Sequence, residues 1–321
     1  MTVLEQRSDR HFVQLDNGML VLAQRLGTAP VVSAQVWVKT GSIFEQEHVG
    51  AGLSHFLEHL ASGGTTTTRS EAASNAQLGQ MGARTNAATS LDTVRYYIDT
   101  TAEHENQAIA LLSDWMQNAT IPQDEYARER EVIQREFAMG RGEPGRIFWK
   151  LTQQARYQHH PARHPTIGYL DEFMAISRDE IADFYQRMYV PNNMVFVVVG
   201  DIDPARTVIE VATQWADAEP GSLPEVELPV EAEIVEPITV SATAAIRQPR
   251  LRLAWPGTRL AGEGDYALDL LAGVLGKGES SRLKQTVRDD MGLVTSIDAY
   301  NLSFAWGEGF FAVDAQLAGA D

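Results

Sequence analysis

Residues 31–61 read VVSAQVWVKTGSIFEQEHVGAGLSHFLEHLA, and a change of pattern within this stretch decides the fold class. Its first ten residues, Val31–Thr40, are rich in β-branched side chains and predict a strand. From Gly50 to Ala61 the apolar residues instead follow helical spacing. A strand followed closely by a helix indicates that both kinds of element contribute to one domain.

The same mixture of strands and helices continues on both sides of this stretch. Asp16-Asn17-Gly18 separates two short apolar runs, His11–Leu15 and Met19–Gln24, and predicts a hairpin. Strand character returns in Arg84–Thr100 and in Asn193–Val199. The sequence therefore predicts an α+β fold, a mostly antiparallel sheet with helices packed on one face. The further helices are expected at Ser70–Met81, Glu103–Asn118, Gln123–Met139, Phe148–Tyr157 and Arg178–Tyr189.

A second, shorter copy of this pattern follows a Pro- and Glu-rich stretch. Residues 218–237, AEPGSLPEVELPVEAEIVEP, show no helical stripe and are interpreted as an extended linker. A strand at Arg250–Trp255 and helices near Asp265–Leu275 and Ser281–Asp290 then repeat the earlier order. Met81-Gly82 recurs as Met291-Gly292. We therefore predict duplicated domains, at residues 1–217 and 238–321.

The second copy is expected to be incomplete. The first copy continues well beyond Thr100, whereas the chain stops at Asp321, soon after the corresponding position. If the two copies are equivalent, about a hundred residues are missing from the second. The sequence therefore suggests a truncated chain.

Composition excludes several classes of protein. The chain has 26 basic and 43 acidic residues, a net charge of −17, which argues against a nucleic-acid-binding surface. This acidity serves solubility or attracts cationic peptides, and composition does not choose between them. The absence of cysteine excludes disulfides and thiolate metal sites. No apolar run is long enough to span a membrane, and no leader is present, so we expect a cytoplasmic protein, or a periplasmic one if a leader was removed.

The helical stretch at residues 50–61 contains the residues that indicate chemistry. His55 and His59 are four apart and share one helix face, so both imidazoles can reach one metal ion. Glu58 lies beside them and can take a proton from a metal-bound water. This His-x-x-Glu-His order is the inverzincin motif. Histidines that merely pack or cap a helix are the alternative interpretation of the motif taken alone.

A catalytic zinc site normally has three protein ligands, so two histidines need one more. The predicted helix at Gln123–Met139 offers Glu129, Glu131 and Glu136. Glu129 and Glu136 are seven residues apart, two helical turns, and therefore share a face. Glu131 is interpreted as part of a solvated helix face.

The motif and the glutamate that follows it resemble the pitrilysin/insulysin family of zinc metallopeptidases, which includes mitochondrial processing peptidase. The resemblance covers essentially the whole chain, including Gly82-Ala83-Arg84-Thr85-Asn86-Ala87-Ala88-Thr89 and Pro191-Asn192-Asn193. It implies that Glu136 is the third ligand of one Zn²⁺ ion per chain, with Glu129 as a supporting acid near the metal. It also implies a zinc endopeptidase that cleaves peptides or unfolded segments, with Glu58 as the general base.

Substrate contacts are expected at two places. An edge strand can accept an extended peptide as a further strand, and we place those contacts at Asn86 and Ala87. The resemblance implies an Arg and a Tyr seven residues apart in the second domain. Arg288 matches, but Thr295 stands where tyrosine is expected. We therefore expect a heterodimer in which a homologous second subunit supplies the Arg–Tyr pair, or else a homodimer.

Two other classes of function stay open. The first is a non-catalytic structural subunit, like the core proteins of the respiratory bc1 complex, which share the fold but generally lack an intact zinc motif. The second is a module that captures extended peptides without cleaving them. Metal analysis combined with a peptide-cleavage assay separates these classes.

Overall fold

The structure is a computed structural model that describes residues 1–319. It contains two compact units. The first comprises Met1–Arg141 with Thr152–Pro229, and the second comprises Gly142–Leu151 with the chain from Val230 onward. The α+β fold class is confirmed. The domain boundaries predicted at residues 217 and 238 stay a prediction.

Among the described residues, the strands of the first unit form a single seven-stranded sheet. The strands are β1 (Thr2–Gln6), β2 (Arg10–Gln14), β3 (Leu20–Arg25), β4 (Val31–Val38), β5 (Arg84–Thr89), β6 (Val94–Thr101) and β7 (Met194–Gly200). Neighbouring strands in the sheet are antiparallel, except that β3 and β7 are parallel. Their spatial order is β1-β2-β3-β7-β4-β6-β5, which leaves β5 at one edge.

Each of the predicted helices is present, with ends that differ by a few residues. Two helices were not predicted, the short α6 and the longer α8, whose first turn is capped by Asp203 accepting backbone N–H groups. The helices are α1 (Leu53–Ala61), α2 (Glu71–Gln80), α3 (Glu105–Asn118), α4 (Gln123–Gly140), α5 (Pro144–Arg156), α6 (Leu170–Ala175), α7 (Arg178–Met188) and α8 (Pro204–Gln214). None of the helices in the described part of the chain combines the length and the apolar composition needed to cross a bilayer.

The core of the first unit forms between one face of the sheet and its helices. Alternate residues of the central strands are completely buried, including Val36, Tyr96 and Phe196. Helix α3 packs on β4 and β6, and α8 packs on β3. This period of two buries one set of side chains against the helices and leaves the alternate set partly exposed on the opposite face.

The stretch predicted as strand at Arg84–Thr100 is a hairpin of two strands, β5 and β6. The chain turns at Ser90, whose backbone N–H donates to the carbonyl of Thr93 at 2.8 Å. The Ser90 hydroxyl also accepts the backbone N–H of Thr93 at 3.0 Å. Serine favours such turns because its hydroxyl bonds to nearby backbone groups. The turn folds β5 outward to the sheet edge.

The second unit repeats part of the first. It contains β8 (Arg250–Pro256), α9 (Asp265–Gly276), β9 (Val294–Leu302) and β10 (Phe310–Leu317). The strand order β8-β10-β9 matches the order β4-β6-β5, which confirms the duplicated pattern. The helix expected near Ser281–Asp290 is instead a π-helical segment at Lys284–Asp290.

In each unit a strand follows two helical segments, β5 in the first unit and β9 in the second. The turn that leads into this strand has the same form in both units. Gly82 and Gly292 adopt left-handed backbone conformations, with φ of 55° and 64°. Each follows a methionine and precedes a strand, so the recurring Met-Gly pair marks equivalent turns. Residues 218–249 form neither helix nor strand.

Candidate metal centre

The start of α1 is fixed by two residues outside the His-x-x-Glu-His motif. Gly52 has a φ of 73°, and a Cβ there would lie 2.1 Å from the carbonyl oxygen of Ile167, so glycine is required. Glu45 is buried and accepts the backbone N–H of Ser54 at 2.7 Å. Burial raises the pKa of Glu45 to about 8, although the N–H donors of the helix start oppose the shift. Glu45 thus takes the place of an N-cap side chain for α1.

The two histidines of α1 meet Glu136, which projects from α4. The Nε2 atom of His55 lies 3.7 Å from Oε2 of Glu136, and Nε2 of His59 lies 3.7 Å from Oε1. One possible ligand atom from each of the three residues lies within 4.8 Å of the others. Ligands of a tetrahedral zinc ion, at 2.0–2.1 Å, lie about 3.3 Å apart. Small side-chain rotations therefore bring these atoms to zinc-binding distances, and the donor set fits the metal.

Glu129 supports His59 from the opposite side of the ring. Its Oε2 lies 3.4 Å from Nδ1 of His59. A proton on Nδ1 leaves the lone pair of Nε2 facing Glu136, which is the tautomer that a metal ligand needs. The bond to His59 lowers the pKa of Glu129, and Arg128, which donates to its Oε1 at 3.0 Å, adds to this effect. Arg128 also donates to Glu71 at the start of α2.

The carboxylate of Glu58 is 9% exposed and receives a hydrogen bond from the hydroxyl of Thr89 at 2.6 Å. Burial raises the pKa of Glu58, and the bond from Thr89 works against this rise. Burial opposes a charge on His59, but its bond to Glu129 and the neighbouring carboxylates outweigh burial and raise its pKa. The cluster of acidic groups thus favours a positive charge at this point, whether a proton or a metal ion.

The edge strand β5 packs beside α1. The two residues at which we expect peptide contacts lie in the middle of β5, with Asn86 opposite Tyr97 and Ala87 opposite Tyr96. Asn86 is exposed and Ala87 is partly buried. Their roles in substrate binding stay predictions.

Arg288 lies in the second unit. It donates to Glu279 at 2.7 Å and to Asp289 at 2.7 Å. The hydroxyl of Thr295 donates to the side chain of Gln248 at 3.2 Å. The structure therefore gives both side chains partners within their own unit, and a role of Arg288 in substrate binding stays a prediction.

Three residues with clear contacts at the site were not singled out from the sequence. Glu45 reaches the start of α1 through a contact between residues nine apart, which helical spacing does not reveal, and Arg128 contacts Glu129, the next residue in the chain. Thr89 belongs to the Asn-Ala-x-Thr segment, which was the one available signal. Glu131 is exposed and pairs with Arg135 at 4.0 Å, as expected for a solvated helix face.

Comparison with known proteins matches nearly the whole chain. A family model described as Insulinase (Peptidase family M16) matches residues 20–169, and one described as Peptidase M16 inactive domain matches residues 175–320. The chain is 29% identical to the uncharacterized zinc protease YmxG of Bacillus subtilis, a match that covers 90% of this chain and 69% of that protein. It is also 29% identical to the mitochondrial-processing peptidase subunit beta of Neurospora crassa, over 65% of this chain and 44% of that subunit.

Solved structures share the fold. A protease from Helicobacter pylori superimposes with a TM-score of 0.84 at 24% sequence identity, covering 97% of this chain and 76% of that one. The chain thus shares the fold of that protease, and its His–His–Glu group lies within the residues that the Insulinase model matches. With both family models matching, the chain belongs to the insulinase family, peptidase family M16.

Proposed function

We propose that this chain is a zinc-dependent endopeptidase that cleaves peptides or unfolded protein segments. The observation that carries the proposal is the meeting of His55, His59 and Glu136 beside the buried carboxylate of Glu58. Three ligands and an adjacent base are the parts that metal-assisted hydrolysis requires. The family match supports the same conclusion.

Each residue has a distinct role in the proposed reaction. His55, His59 and Glu136 hold the ion, and Glu129 orients His59 through its Nδ1 atom. When bound there, zinc polarises the carbonyl of the scissile peptide bond and makes the attacking water more acidic. Glu58 accepts a proton from that water as its oxygen bonds to the carbonyl carbon. Glu58 then delivers the proton to the amine nitrogen as the carbon–nitrogen bond breaks.

The substrate is proposed to bind as an extra strand. Because β5 is the edge strand beside α1, an extended peptide can pair with its backbone near Ala87. Pairing through the backbone selects extended or unfolded chains rather than a particular sequence. This supports peptides and unfolded segments as the substrate class.

The test is a Glu58→Gln variant assayed with quenched peptides and analysed for bound zinc. Glutamine keeps the shape of the side chain but does not act as a base, so we expect full zinc content with hydrolysis lowered at least about a hundredfold. Turnover within about tenfold of wild type would remove Glu58 as the base. A wild-type chain that binds zinc but cleaves nothing, either alone or with a homologue that carries the Arg–Tyr pair, would favour a non-catalytic or peptide-capturing protein.

We further propose that a homologous second subunit completes the substrate site. Thr295 is too short to replace the tyrosine expected there, and its hydroxyl is a weaker acid than a phenol. The chain is therefore expected to be weak or inactive alone and to gain activity with a homologue that carries the Arg–Tyr pair. Full activity alone, unchanged by the homologue, would contradict this arrangement.

A further inference from the structure

We infer that Thr89 is a positioning residue that holds the Glu58 carboxylate in place for proton transfer. The inference rests on the proposed peptidase function. Thr89 is not one of the three proposed metal ligands. Its hydroxyl contacts Glu58, the proposed base.

The contact is a short hydrogen bond between two side chains. The Thr89 hydroxyl donates to Oε2 of Glu58 at 2.6 Å. A carboxylate offers about four lone-pair sites, so this donor orients it and still leaves sites for an incoming proton. A base held in one orientation transfers a proton more efficiently than one that rotates.

The position of Thr89 in the sheet sets the direction of its backbone groups. Backbone groups along an antiparallel strand face the neighbouring strand at every second residue. The Ser90 N–H faces β6, where it donates to the Thr93 carbonyl at 2.8 Å. The backbone groups of Thr89 and Ala87 therefore face away from β6, toward the open edge of the sheet.

This geometry connects substrate binding to the base. A peptide that pairs with β5 at Ala87 is held by the same strand, two residues away from Thr89. The strand thus sets the distance between the bound peptide and the carboxylate.

The first experiment separates catalysis from binding. Thr89→Val is nearly isosteric and removes the hydroxyl donor. We expect kcat on a quenched peptide to fall about tenfold or more, with KM within about twofold of wild type and zinc content unchanged, because a bond to a charged group is lost. Thr89→Ser keeps the donor and is expected to restore kcat to within about twofold of wild type.

Thr101→Val is the matched control. Thr101 ends the neighbouring strand β6, and its hydroxyl also donates to a glutamate, Glu103, at 3.3 Å. The same substitution there removes an equivalent bond away from Glu58. We expect it to leave kcat and KM unchanged.

The second experiment needs neither metal nor turnover. Thermal unfolding of the metal-free protein is compared for wild type, Thr89→Val, Glu58→Ala and the double variant. If the two side chains are bonded, Thr89→Val lowers Tm by roughly 2–4 °C in the wild-type background and has no effect when Glu58 is absent.

The outcomes distinguish this inference from the proposed function. Unchanged kcat in Thr89→Val, a change confined to KM, or equal Tm shifts in both backgrounds would overturn the role of Thr89. If Thr89→Val does not fold, Thr89→Ala and Thr89→Ser decide by the same comparison of kcat. If the wild-type chain cleaves no peptide, either alone or with the homologue that carries the Arg–Tyr pair, the proposed function fails, while the unfolding cycle still shows whether Thr89 holds Glu58.

Discussion

The two units share a strand and helix order but differ in the helix that follows the equivalent strands β4 and β8. Helix α1 begins after Gly52 and α9 after Gly264, and both glycines have positive φ, 73° and 86°. The third, sixth and seventh residues after Gly52 are His55, Glu58 and His59, the polar residues of the motif in α1. The third, sixth and seventh residues after Gly264 in α9 are Ala267, Leu270 and Leu271.

This difference separates the requirements of the fold from those of the site. The repeat keeps its glycine, its helix and its strand pairing without any of the polar groups of the motif. On the proposed function, the motif in α1 serves chemistry rather than folding, since buried ionisable groups cost stability unless they are paired. The description of the matching second model as an inactive domain agrees with this comparison.

The sheets also differ in how well the equivalent strands β4 and β8 are buried. Val36 in β4 is completely buried, whereas Leu253 and Trp255 in β8 are 48% and 49% exposed. These side chains help to line an apolar cavity of about 670 Å³ in the second unit. The buried strand should therefore tolerate polar substitution far less well than the exposed one.

The largest expected effect is on stability. Val36→Asp places an unpaired charge in the core and is expected to cost about 3–5 kcal/mol, enough to prevent stable folding. The matched change Leu253→Asp removes a half-exposed side chain and is expected to cost about 1 kcal/mol or less. Urea unfolding measures both. Equal losses would show that the apolar face of the second unit is covered in solution.

The next effect is on metal binding. His59→Ala removes a proposed ligand and is expected to weaken zinc binding by more than about a hundredfold, since even outer-shell partners cost 10- to 100-fold. Leu271→Ala, at the corresponding position of α9, is the control and should leave zinc affinity unchanged. Competition with a chromogenic chelator measures both variants. Zinc retained in His59→Ala would separate the histidine from the metal.

The sequence predicted much of this comparison because its local patterns are strong. The spacing of His55 and His59 is set within one helix, and the Met-Gly turns mark the repeat directly. The choice of Glu136 as the third ligand depended on family resemblance, because the distance from α1 to α4 is a tertiary property. The bond between Thr89 and Glu58 and the capping by Glu45 could not be predicted for the same physical reason. Helix α8 was missed although Asp203 and the following proline offer a start signal.

The smallest expected effect is a difference in pH dependence between the acids at the two helix starts. The pKa of Glu45 is raised by burial to about 8, above its ordinary value of 4.5, so its stabilising contribution is lost as pH rises from about 4.5 to 8. Glu45→Gln does not titrate. We therefore expect the Tm of this variant, relative to wild type, to rise by a few degrees between pH 5 and pH 8.

Asp265 at the start of α9 is the matched control. It accepts the backbone N–H of Ala261 at 2.8 Å, a bond that lowers its pKa below the ordinary value of 3.8. Its contribution is lost only as pH falls below that range. Asp265→Asn is thus expected to shift Tm equally at pH 5 and pH 8. If Glu45→Gln also shifted Tm equally at pH 5 and pH 8, that result would contradict a raised pKa for Glu45.

The most direct test of the central claim is an anomalous difference map collected at the zinc edge from crystals of the zinc-loaded protein. The account predicts one strong peak in the first unit, bounded by His55, His59 and Glu136, with no peak at α9. A peak at any other histidine, or no peak beside α1 at full zinc loading, would contradict it.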